Sequence, residues 1–257
     1  MPVSKVYFTD MRTHFGESLP QKLERLIRTA GITSLPLEDS FAAIKIHFGE
    51  PGNVAFLRSA YAESVVRVLN SCGARSFLTD CNTLYPGRRK NALEHLDTAH
   101  RNGFSPFAVG CQVIIGDGLK GTDDIEVAVP NGELLKTAKI GRAVMDADVI
   151  ITLNHFEAHE LTGIGGAIKN AGMGCGSRAG KKEMHCDGIT KVDQDKCIGC
   201  GKCMGFCPQK TIVIKKKKGK KLAKINNKNC IRCYCCQELC PSAAVDTVKN
   251  LLLRIIH

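Results

Sequence analysis

Two stretches of the chain repeat one spacing: Cys197-x2-Cys200-x2-Cys203-x3-Cys207-Pro208 and Cys230-x2-Cys233-x2-Cys236-x3-Cys240-Pro241. Three closely spaced thiolates grip three corners of one cubane, and the cysteine before the proline reaches across to the other. The spacing therefore predicts two 4Fe–4S clusters. One uses Cys197, Cys200, Cys203 and Cys240; the other uses Cys230, Cys233, Cys236 and Cys207. The competing chemistry is zinc, which favours two separated cysteine pairs around one tetrahedral ion. Cys235 falls outside the repeat and reads as a small buried hydrophobe. Thiolate-only ligation predicts single-electron transfer at low potential, and cubanes near a surface predict sensitivity to oxygen.

A second group of candidates lies earlier. The apolar run Val149–Leu153 leads into Asn154, His155 and His159, then into Lys169 and Asn170 beyond several glycines. Polar residues at the carboxyl end of a buried strand stand where open α/β sheets place their ligands. On one helical turn, His155 and His159 would face the same side. Histidine transfers protons near neutral pH, and lysine holds an anion. His155, His159 and Lys169 are the candidate catalytic residues. Two further strand ends supply Lys45 and His47, and Asp80, Asn82 and Thr83. With Asn154 and Asn170 these are candidates for a ligand pocket, provided that all three strands end on one rim. Cys175, His185 and Cys186 are candidates for a third metal site, against the plainer reading of inert thiols. No G-x-G-x-x-G follows the first strand, and Gly174–Lys182 departs from a phosphate loop at Cys175 and Lys182.

The elements that must position these groups follow from pattern. Val3–Phe8, Phe41–His47, Ser76–Thr79, Gln112–Gly116, Ile125–Val129 and Val149–Leu153 read as strands. Ser18 is a candidate cap for a helix that carries Pro20 in its first turn and stops at Gly31. Val54–Ser71 and Arg88–Asn102 read as helices. Strand–helix alternation predicts a layered α/β domain with a mostly parallel sheet over residues 1–188. Ile125–Val129 lacks a preceding helix and reads as a hairpin or an edge. Gly163–Gly180 carries seven glycines in 18 residues and reads as a loop with unusual backbone angles or close backbone approach. Residues 189–257 read as a small α+β, ferredoxin-like two-cluster domain.

Length and charge sharpen the division. The chain has 257 residues, 44% hydrophobic and 24% charged, which excludes a disordered chain. No apolar run reaches the roughly 20 residues of a membrane span, and no secretory signal opens the chain. A cytoplasmic setting is expected, where 14 cysteines serve as metal ligands or redox groups. The net charge of +11 arises entirely after Gly188: 21 basic and 21 acidic residues precede Ile189, and 15 basic and 4 acidic residues follow. Two clusters with their thiolates would bring that region to about +7. Ile212–Ile225 reads as a hairpin with a lysine-rich tip. Such a tip either protects a sheet edge or docks an acidic redox partner. Nucleic acid is a weaker third reading, since no binding motif accompanies the lysines. Leu251–Ile256 is too short to span a bilayer and reads as a packing tail.

Three segments together carry a family resemblance: Ile44–Glu50 (IKIHFGE), Leu78–Tyr85 (LTDCNTLY) and the run from Asn154 to Gly180. With the cysteine repeat, they make essentially the whole chain resemble iron–sulfur proteins carrying domain of unknown function 362. In that family the first domain is joined to a bacterial-type ferredoxin. The resemblance implies electron transfer in anaerobic-type metabolism and supplies no substrate. The leading expectation is an electron-transfer protein whose α/β domain binds a partner or small ligand. The second is a reductase for a small anionic substrate, with His155 or His159 as proton donor and Lys169 and Lys45 on the anion. The third is a redox sensor or interaction module.

Overall fold

The computed structural model describes residues 4–85, 87–133, 135–159, 163–185, 188–217 and 219–249. Four strands form its central sheet: β1 (Phe41–Ile46), β2 (Arg75–Asp80), β3 (Gln112–Ile115) and, later in the chain, β6 (Val149–Leu153). Their order is β3-β2-β1-β6, and every pairing is parallel. β1 is buried at all but its first residue, because helices and loops cover both of its faces. Helix α1 (Leu19–Thr29) precedes β1, and α2 (Ser59–Asn70) and α3 (Ala92–Arg101), with the single turn α4 (Pro106–Val109), occupy the crossovers from β1 to β2 and from β2 to β3. Ile44, Ile46 and Leu78 meet Val65, Leu69, Phe48 and Phe104 in the main core. The architecture is α/β with a mostly parallel sheet, as the alternation of elements predicts.

Local chemistry sets the boundaries. Ser18 and Gln21 form a capping box at the start of α1, with proline in the first turn. The helix expected from Val54 begins only at Ser59, because the Asn53 side chain accepts the Ala55 N–H at 2.7 Å and holds a turn. The helix expected from Arg88 begins at Ala92, where Asn91 caps the Glu94 N–H at 3.0 Å. The Ile125–Val129 region resolves into an antiparallel hairpin, β4 (Asp124–Ala128) with β5 (Thr137–Gly141). The strand expected at Val3–Phe8 is not formed over its described residues. Val6 is 89% and Phe8 85% exposed, with no neighbouring strand to take their backbone groups.

The largest correction concerns Gly163–Gly180, which is regular structure rather than loop. After the single turn α5 (Arg142–Met145) and β6, a small hairpin pairs β7 (Glu157–His159) with β8 (Gly163–Gly165). Helices α6 (Ala167–Cys175) and α7 (Arg178–His185) follow. The glycines here permit close approach. A Cβ on Gly174 would stand 2.7 Å from Lys45 Nζ, and one on Gly180 would collide with the Lys139 carbonyl. Gly174→Ala should therefore destabilise the fold by about 1–3 kcal/mol. Helix propensity alone would predict a gain of about 1 kcal/mol. Urea unfolding distinguishes the two signs.

The cysteine-rich part contains β9 (Gly188–Val192), α8 (Lys202–Gly205), β10 (Ile212–Lys217), β11 (Lys220–Ile225), α9 (Cys235–Glu238) and β12 (Val245–Lys249). β10 pairs with β11 and β12 with β9, both antiparallel. The two halves repeat the same backbone. Gly199 and Arg232, each two residues after a first cysteine, have φ of 67° and 50°. Gly201 and Tyr234 have 77° and 60°, and Lys210 and Ala243 have 49° and 48°. Non-glycine residues in the left-handed region are costly and gather where a loop is shaped for a task. No described helix is long and apolar enough to cross a membrane.

Candidate functional site

The three sheet-strand ends do converge. At the carboxyl edge, Lys45 Nζ lies 3.0 Å from Asp80 Oδ1 and donates to Asn170 Oδ1 at 2.6 Å. The Asn170 amide donates in turn to the carbonyls of Lys45 and Leu153 and to Asn154 Oδ1. One side chain from α6 thus bridges β1 and β6. That is where the strand order reverses, since the chain runs from β1 outward to β3 and returns on the other side of β1. Asp80 Oδ2 receives Arg89 at 3.1 Å and lies 3.5 Å from His95 Nε2. Arg89 also donates to Glu50 and to the Tyr85 hydroxyl, and meets His47 Nε2 at 2.9 Å. Asn82 donates from its backbone and its amide to Asp117 Oδ1, both at 2.8 Å. Thr83 is buried beside this edge, and its N–H bonds the Arg89 carbonyl.

Two cations are therefore buried. Lys45 and Arg89 side chains are each 1% exposed, and their charges are met by Asp80 and Glu50. Burial alone would raise the Asp80 carboxyl, but Lys45, His95 and Arg89 outweigh it and hold it well below the usual carboxylate range. His47 is exposed as a residue, yet its ring is crowded into the rim. Desolvation first, and then the Arg89 charge, push it from 6.5 to about 3. Its Nδ1 also faces a donor, the Gly49 N–H at 3.0 Å, so a second ring proton has no acceptor there. His95 is likewise lowered, chiefly by burial.

The candidate catalytic residues take other positions. His155 and His159 do not share a helical turn, because Asn154–Phe156 is irregular and His159 ends β7. His155 is exposed and lies 3.6 Å from Glu157. His159 Nε2 meets Lys169 Nζ, so these two form a pair. Cys175 is buried with Cys81 and Val144 in a small apolar cluster, and burial raises its thiol. Cys186, of the candidate third metal site, lies outside the described residues. Sequence pattern missed Arg89, Tyr85 and His95, and also Asp117 and Lys181 beneath the same edge. Arg89 sits in an irregular stretch with no periodicity to mark it as buried. His95 alone carried a signal, as part of the inward face of α3.

The eight repeat cysteines line two cavities. The first, about 320 Å³ and open to solvent, is lined by Cys197, Cys200, Cys203 and Cys240. The second, about 350 Å³, is lined by Cys207, Cys230, Cys233 and Cys236, with Cys235 beside them. Each cavity thus draws three cysteines from one repeat and the fourth from the other. Among the described residues, no three Cys, His, Asp or Glu side chains gather closely enough to hold a single metal ion. Backbone N–H groups turn toward the sulfurs: Thr211 to Cys207 at 3.4 Å and, at the equivalent place, Ala244 to Cys240 at 3.2 Å. Against the cost of burial, these and the Thr211 and Ser242 hydroxyls lower both thiols. Burial, with like charge nearby, pushes Cys233 and Cys236 up to about 12. Thiols raised in this way stay protonated near neutral pH unless a bound metal displaces the proton. The donor set therefore fits a pair of 4Fe–4S clusters.

The fold and these two sites define an α/β protein with a buried polar edge and a cysteine-rich part. A family model described as Domain of unknown function (DUF362) matches residues 42–236, and the chain belongs to that family. No curated protein matches it.

Proposed function

We propose that the chain is an iron–sulfur electron-transfer protein. It holds one 4Fe–4S cluster on Cys197, Cys200, Cys203 and Cys240, and a second on Cys207, Cys230, Cys233 and Cys236. The observation that carries this reading is the crossed partition of the eight cysteines between two cavities. When bound, each cluster supplies a one-electron couple. The chain's own residues hold the sulfurs apart, aim backbone N–H groups at them and exclude water with Ile212, Ile214, Ala223 and Ile225. Hydrogen bonds to the sulfurs and burial are the protein's means of setting potential.

The reductase reading has the converged strand ends in its favour. Against it, Lys45 and Arg89 are already neutralised and sealed from solvent, so neither presents a free charge to a substrate anion. The α/β part is better read as a rigid platform for a partner or ligand. Anaerobic reconstitution tests the main reading. About eight irons and eight acid-labile sulfides per chain, with a paramagnetic signal on one-electron reduction, are expected. Stoichiometric zinc without iron would overturn it.

A further inference from the structure

The two cysteine cavities meet the β10–β11 hairpin at different levels. Resting on the two-cluster reading, we propose that the mouth of the Cys197 cavity, bordered by the β10–β11 lysines, docks an acidic one-electron carrier protein. The Cys230 cavity is lined wholly by the cysteine-rich part and meets the same hairpin at its base, through Ile212 and Ile225. Lys215, Lys216, Lys217, Lys220, Lys221 and Lys224 are all exposed. None of them has an ion-pair partner among the described residues. The register sets Lys216 directly opposite Lys221 and Lys217 opposite Lys220. Like charges placed opposite one another destabilise a hairpin. A few lysines suffice to protect an edge, so this concentration needs a further reason.

The lysines are tied to one cavity. Lys221 packs so closely on Gly199, between Cys197 and Cys200, that a Cβ there would collide with it. Lys217 Nζ donates to Gln194, just ahead of Cys197, at 3.1 Å. At the cavity mouth Cys200 is exposed, and Ile198 is 66% exposed. An apolar centre with a charged rim is the anatomy of a protein-docking patch, and a positive rim selects an acidic partner.

The second cavity lies at the end of the hairpin away from its lysine tip, where Ile212 pairs with Ile225. Thr190, on the strand that follows α7, lines it and lies 3.6 Å from Cys230. Lys182 of α7 donates to the Lys228 carbonyl, two residues before Cys230, at 3.4 Å. Cys203 of the first set packs in one apolar cluster with Cys207 and Cys236 of the second, so the two cavities share a wall.

Matched charge reversals separate the two faces. The probe is oxidised flavodoxin, a small acidic carrier, and its binding to the reconstituted full chain is followed by flavin fluorescence. Lys221→Glu should weaken binding by on the order of fivefold, and Lys228→Glu should stay within about twofold of the parent. Affinity should also fall as salt rises. Lys216→Glu repeats the first arm if Lys221→Glu does not fold. Equal losses at Lys221 and Lys228, or salt-independent binding, would overturn the port. A DNA duplex bound more tightly than flavodoxin at about 0.15 M salt, and released by Lys221→Glu, would overturn it in favour of nucleic acid. Iron content is measured on each sample. Absence of iron from the parent protein sinks the cluster reading, whereas a loaded protein without lysine dependence sinks only the port.

Discussion

Cys200→Ala with Cys240→Ala should leave one cluster, and Cys200→Ala with Cys207→Ala should leave none. The first pair removes two ligands from one cavity. The second removes one ligand from each. Iron should fall from about eight to about four per chain in the first double variant, and toward zero in the second. Double variants are used because a single substitution cannot tell which cysteines share a site. Chain order alone would pair Cys200 with Cys207, since both lie in the first repeat, and would predict the opposite result. The cavities instead pair Cys200 with Cys240, since Cys240 and Pro241 line the first cavity and Cys207 and Pro208 the second. Iron analysis with reduced-state spectroscopy decides between the two. The reversed pattern would overturn the crossed assignment while leaving iron–sulfur binding in place.

Asp80→Asn should be the most damaging change in the α/β part. Asp80 meets Lys45 at 3.0 Å and Arg89 at 3.1 Å, and both cations are sealed from solvent. An amide of the same size leaves Lys45 without its anion and Arg89 with Glu50 alone. Breaking a buried pair from one side costs about 3–5 kcal/mol. At about 2–4 °C per kcal/mol for a chain of this size, the melting temperature should fall by roughly 6–20 °C. The pH dependence follows from the direction of the shift. The Asp80 carboxyl is held well below its ordinary 3.8 in the folded protein. Its stabilisation is therefore complete above that value and is lost as pH falls through the folded value. Parent and variant should differ at pH 7 and converge in strong acid. His47 adds to acid lability in the parent: with its folded value near 3 against 6.5, protons favour the unfolded chain as pH drops below 6.5. Calorimetry across pH is the check. A loss under about 1 kcal/mol at neutral pH would show that Lys45 and Arg89 do not depend on Asp80.

Some of this was legible from the chain alone. Phe41–Ile46 could be read as a buried strand from its apolar run, whereas Val149–Leu153, read the same way, proves to be a partly exposed edge strand, because apolar composition does not record whether a neighbour covers it. Ser18 could be read as a cap because its hydroxyl needs only the next turn of backbone. Lys45, Asp80 and Asn170 were legible as a group only through the assumption of a parallel sheet, which brings strand ends to one rim. The glycine-rich segment was read wrongly because glycine disfavours a helix by propensity. Contact with Lys45 and Lys139 instead demands its small size. Propensity is local and weak, and packing overrides it.

Spacing by itself determined the two cysteine repeats, the basic balance after Gly188 and the strand–helix alternation of the central sheet. These depend on neighbours a few residues apart, whose geometry the covalent chain restricts. Tertiary structure alone decided that Arg89, from a stretch without periodicity, is buried among Asp80, Glu50, Tyr85 and His47. It alone set the hairpin lysines against the Cys197 cavity and Lys182 of α7 on the Lys228 carbonyl. A charge is stable inside a protein only where distant segments bring its counter-charge to it. No pattern within one segment can record that meeting.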